Sequence, residues 1–125
     1  MIGLVIVGHG KIAQEYFSAI EHILGSCTNV ECVSIDPLDI REKKRTEIKQ
    51  AIKNVDSGSG VIIATDMFGS TPSNLAVEAC IGSSTKVIFG TNLPLLVKLL
   101  KCRRLPLEKA VLTSVNSAKK YIDIA

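Results

Sequence analysis

The sequence has no tryptophan, aromatics at only 4% of 125 residues, and two histidines. So few aromatics argue against an aromatic-rich β-sandwich. They also leave no stacking platform interleaved with basic residues, and the net charge of +3 is too mild to demand a nucleic-acid partner. Four cysteines (Cys27, Cys32, Cys80 and Cys102) form no C-x-x-C pair, and no Cys or His lies at zinc-finger spacing, so no metal site is expected. Reduced thiols in a cytoplasmic protein are the expectation. No apolar run approaches the roughly 20 residues of a membrane span, and the first run, Ile2–Val7, is too short for a signal peptide. No internal repeat, low-complexity tract or interdomain linker interrupts the chain, so residues 1–125 are expected to form a single domain.

What is present is aliphatic. Four short apolar runs, Ile2–Val7, Val30–Ile35, Val61–Thr65 and Lys86–Phe89, are nearly continuous rather than alternating, as in strands covered on both faces. Between them lie helical patterns. Ile12, Tyr16, Ile20, Ile23 and Leu24 share one face, and Ile40, Ile48, Ala51, Ile52 and Val55 share another. Leu75, Ala76, Ala79 and Cys80 mark a third helix, with Thr71 as N-cap and Pro72 at its first position. "TNLP" repeats this start signal before Leu95. A last helix runs from about Pro106 through Leu107, Val111, Val115 and Ala118, and "YIDIA" alternates as a short edge strand would. The charged runs "REKKR" and "KCRR" read as solvated helix surface, and His22 as a surface histidine.

Strand and helix alternate throughout, which predicts an α/β fold: a doubly wound, mostly parallel four-stranded sheet in the order 2-1-3-4, with helices on both faces. In that order strands 1 and 3 are neighbours, and ligands bind beyond their carboxyl ends. His9, in "VIVGHGK", and Asp66, in "TDMFGSTPSN", follow those two strands. A carboxylate that accepts the imidazole's N–H fixes the tautomer and frees the other nitrogen to attack. Gly8 and Gly10 remove bulk around His9. The helix start near Thr71 points free amides and a positive dipole end into the same crevice, which suits an anionic electrophile. Gly10, Gly69, Ser70 and Thr71 are the expected phosphate contacts. There is no Walker lysine pattern, G-x-G-x-x-G or acidic metal cluster, so no cofactor is expected, and a phosphoryl group handed over by another protein is a better donor than magnesium-ATP.

"VIVGHGKIA", "DMFGSTPSNLA" and "GTNLPLLVKLL" together resemble the mannose-class (mannose/fructose/sorbose) IIA component of the bacterial phosphoenolpyruvate-dependent sugar phosphotransferase system, over essentially the whole chain. The resemblance implies that His9 accepts a phosphoryl group from the phosphocarrier HPr and passes it to a histidine of a IIB component. It further implies that Asp66 orients His9, that the Thr71 hydroxyl contacts phosphoryl oxygens, and that a homodimer forms with "YIDIA" on the partner's sheet. Membrane insertion is not implied. Two positions depart from the family pattern: Ser70 replaces the second of two glycines, and Ser73 stands where phenylalanine is common, which bears on partner docking if that side chain is displayed. Alternative readings are a regulatory module that controls a protein partner through its phosphorylation state, and the phosphocarrier subunit of a dihydroxyacetone kinase. A redox or metal role ranks last.

Overall fold

Strand β1 (Gly3–His9) sends Leu4 and Ile6 to one side of the sheet and Val5 and Val7 to the other, and all four are buried. This double burial is why the run is apolar without a break. After it come α1 (Ile12–Leu24), β2 (Val30–Ile35), α2 (Arg41–Val55), β3 (Val61–Thr65), α3 (Thr71–Ala79), β4 (Thr85–Ile88), α4 (Leu93–Lys101) and α5 (Leu107–Lys119). The computed structural model describes residues 1–80, 82 and 84–125. All strand pairs are parallel, in the order β2-β1-β3-β4, as the alternation of elements predicts.

Two cores sandwich the sheet. Leu4, Ile6, Ile62 and Ile88 pack with Ile20 of α1 and Leu95, Leu96 and Leu99 of α4. Val5, Val7, Val33 and Ile63 pack with Ile48, Ala51 and Val55 of α2 and Leu75 of α3. The chain therefore leaves β1 through a helix on one face and leaves β3 through a helix on the other. The two exits diverge, and a crevice opens at the carboxyl ends of β1 and β3.

Several local expectations are revised. His9 is the last residue of β1, opposite Ile35 of β2, rather than part of the loop after it. In α1 the buried positions are Ala13 and Ile20, while Ile12 and Ile23 are exposed. Ile40 precedes α2 and is also exposed. Ser70, not Thr71, is the cap residue of α3, so Pro72 falls at the second helical position. In α4 the cap is Asn92, whose side chain accepts from the Leu95 amide at 2.9 Å. Residues 122–125 form no strand within this chain, and Ile122 and Ile124 are exposed. Among the described residues, no helix is long and apolar enough to cross a membrane.

The "KCRR" segment is not simply solvated. Arg103 is buried, and its guanidinium donates to the carbonyls of Ile2, Thr28 and Asn29 at 2.8, 2.7 and 2.7 Å. The Ile2 amide in turn donates to the Arg103 carbonyl at 3.0 Å. One side chain thus ties the starts of β1 and β2 to the end of α4. Arg103→Met keeps the apolar stem but removes one donor from each of three carbonyls, of which that of Asn29 keeps the Leu4 amide at 3.0 Å. It is expected to lower stability by about 2–4 kcal/mol, read as a lower urea midpoint at unchanged slope. An unchanged midpoint would refute this role for Arg103.

Candidate functional site

The β1–β3 register places Val7 opposite Thr65, so His9 and Asp66 emerge at the same edge of the sheet. Asp66 Oδ2 lies 2.6 Å from His9 Nδ1 and also accepts from the His9 amide at 2.8 Å. The other oxygen, Oδ1, accepts from the Met67 amide at 2.8 Å. Burial pushes the Asp66 carboxyl's pKa up, but the bonds from His9 and Met67 outweigh it and hold the group below its ordinary value. With Asp66 ionised, the short contact puts the ring proton on Nδ1, and Nε2 carries the free lone pair. The His9 side chain is 55% exposed and that of Asp66 14%, so the imidazole is presented to solvent while the carboxylate beside it is shielded.

Gly8 is required from the inside. A Cβ there would collide with the Ile12 side chain while only touching Asp66 Oδ2 at 3.4 Å, so the glycine makes room for the first turn of α1 against the end of β1. Behind the site, Thr91 holds the end of β3. Its amide and hydroxyl both donate to the Thr65 carbonyl, at 3.0 and 2.7 Å, and the Tyr16 hydroxyl donates to the Thr91 carbonyl at 3.1 Å. Burial, and secondarily the charge of Asp66, raises the Tyr16 pKa, so the phenol remains a donor at neutral pH.

The four expected phosphate contacts divide. Gly10 donates its amide to Ile35, and the Ser70 hydroxyl donates to the Met67 carbonyl at 2.6 Å, so both groups are engaged within the chain. Gly69 and Thr71 are exposed. Gly69 has φ +83, a left-handed conformation that lets the chain turn into α3 and that a side chain would strain. Thr71 opens α3, where the first-turn amides have no helical partner. Ser73 is buried and its hydroxyl donates to the Ser70 carbonyl at 2.9 Å, so it displays nothing to a docking partner.

Thr71 and His9 line one cleft of about 280 Å³ together with Asp36, Asp39, Arg41 and Lys44. The two cations come from "REKKR", which reads as plain solvated surface in the sequence. One signal was available. Both lie in the first turn of α2, where cations oppose the helix dipole. The exposed side chains of Met67 and Phe68 lie beside the site in sequence, and Phe68 packs edge-on against Phe89 with ring centroids 5.0 Å apart.

A parallel doubly wound sheet with an exposed histidine backed by a carboxylate at its switch point defines a class: α/β domains able to carry an anionic group on an imidazole. The family described as "PTS system fructose IIA component" matches residues 3–116, and the chain belongs to that IIA family of the sugar phosphotransferase system. The chain is 29% identical over 103 residues to the mannose-specific EIIAB component of Escherichia coli strain K12, covering 82% of this chain and 32% of that protein. It therefore spans about a third of the length of that relative. It is also 29% identical to the sorbose-specific EIIA component of Lacticaseibacillus casei, over 76% of this chain and 69% of the relative. The crystal structure of an EIIA component from Streptococcus agalactiae superposes with a TM-score of 0.87 at 23% identity, covering 99% of this chain and 97% of that one, and shows the same fold.

Proposed function

We propose that this chain is a cytoplasmic phosphocarrier in which His9 Nε2 accepts a phosphoryl group from HPr and passes it to a histidine of a IIB component. The observation that carries the reading is the 2.6 Å contact between Asp66 and His9 Nδ1, beside a half-exposed ring. In the transfer, the Nε2 lone pair forms a bond to phosphorus as the bond from phosphorus to the donor ring breaks, and that ring recovers the electron pair. Nδ1 keeps its proton toward Asp66, whose charge offsets the positive charge the ring gains. The second transfer repeats these events with His9 as the leaving ring. Thr71 and the first-turn amides of α3 are suited to the phosphoryl oxygens. The remaining work is positioning and electrostatics, as in other phosphoryl transfers. Residues 1–125 act as one domain in this reading, and four unpaired cysteines suit a reducing compartment.

Incubation with phosphoenolpyruvate, Enzyme I and HPr is expected to give one acid-labile, base-stable phosphate per chain. No label, or an acid-stable one, would refute the assignment.

Dimerisation belongs to the same proposal. Among the described residues β4 pairs only with β3, which leaves its outer edge open, and residues 122–125 carry exposed Ile122 and Ile124 outside any strand. A second copy's tail laid along that edge satisfies both. Full-length protein is expected to sediment as a dimer, and a chain ending at Tyr121 as a monomer. Equal sedimentation of the two would rule the tail out as the dimer contact.

A further inference from the structure

We propose that Arg41 and Lys44 supply positive charge to the phosphoryl group on His9 and hold it in its doubly ionised form. The inference rests on the phosphocarrier reading above and adds two positioning residues to it. Both side chains line the His9 cleft together with Thr71. Their placement does not serve the helix that bears them, because cations in a first turn face the positive end of its dipole. Local carboxylates compensate instead. Arg41 Nη2 donates to Glu78 Oε1 of α3 at 2.8 Å, and Arg45 reaches the other Glu78 oxygen at 3.6 Å. Lys44 donates to Glu47 at 3.0 Å and lies 3.8 Å from Asp39. The Arg41 and Glu78 side chains are 49% and 39% exposed, so their pair contributes little to stability. A guanidinium with five donors can therefore turn part of its charge toward a second anion in the cleft without loss of the fold.

The charged side chains that line the His9 cleft are Asp36 and Asp39 on the negative side and Arg41 and Lys44 on the positive side, with Asp66 held against the far nitrogen of the ring. Glu78 stands behind Arg41 and competes for it. Glu78→Gln is therefore expected to act opposite to Arg41→Ala, whereas a purely structural ion pair would make the two alike.

The test is the phosphorus NMR titration of the phosphorylated chain, since the second ionisation of a phosphoryl group falls near pH 6, at about the middle of an accessible range. Arg41→Ala and Lys44→Ala are each expected to weaken that ionisation about threefold, and Glu78→Gln to strengthen it by a similar factor, with the differences shrinking in high salt. Circular dichroism and thermal midpoints check that the variants fold. A parent that takes up no phosphoryl group overturns the phosphocarrier reading and this inference together. A phosphorylated parent whose titration is unmoved in both cation variants, or a Glu78→Gln shift in the same direction as Arg41→Ala, overturns the charge role alone.

Discussion

His9→Ala is expected to lose phosphoryl uptake from HPr by at least about 10³-fold while keeping the fold. The ring is half exposed and sits at the end of β1, so its removal opens no core cavity. The loss comes from chemistry. Among the described residues, His22 is the other histidine; it is exposed in the last turn of α1, and no carboxylate bonds its ring. A ring without that partner lacks both the fixed tautomer and the counter-charge. Phosphoenolpyruvate-dependent labelling of the purified variant is the measurement. Labelling equal to the parent's would remove His9 from the reaction and with it the reading built on the switch point.

Asp66→Asn is the second large effect. The amide oxygen can still accept from the His9 backbone, so the loop survives in part. What disappears is the full negative charge beside Nδ1 and the certainty that Nδ1 holds the proton. The serine-protease triad offers the scale: loss of the orienting aspartate there costs about 10⁴, and here a decrease of about 10²–10⁴ in transfer rate is expected, with chain stability changed less. Asp66 also makes stability depend on pH. Its folded pKa lies below the ordinary carboxylate value, so its contribution is fully present above about pH 4 and is lost as pH falls through the folded value. Thermal midpoints of the parent are therefore expected to fall more steeply on acidification than those of Asp66→Asn. Parallel acid curves would show that Asp66 is not held by His9 and Met67, and a transfer rate within threefold of the parent's would exclude the orienting role.

The site was legible as far as chain topology could carry it. Parallel winding makes β1 and β3 neighbours, and that alone brings residues 9 and 66 together across 57 positions of sequence. Apolar runs marked all four strands: β1 and β3 are buried on both faces, and the edge strands β2 and β4, only half-buried, still keep their apolar side chains against the cores. Helix starts were less legible. Ser70 and Thr71 both carry a capping hydroxyl, and the left-handed turn at Gly69 puts Ser70, not Thr71, at the boundary. Charge misled most. Arg103 and the lysine and arginine of the cleft stand in polar runs that look solvated, yet one binds three backbone carbonyls and the others line the His9 cleft.

The sequence by itself determined the alternation of strand and helix, the sheet order, and the family, because these depend on local periodicity and on short motifs. The tertiary structure alone decided where charge acts. Arg103 answers to carbonyls 74 to 101 positions away, and Arg41 meets a carboxylate 37 positions on. A long flexible cation takes its role from whatever the fold brings within reach of its tip, and neither composition nor spacing encodes that reach.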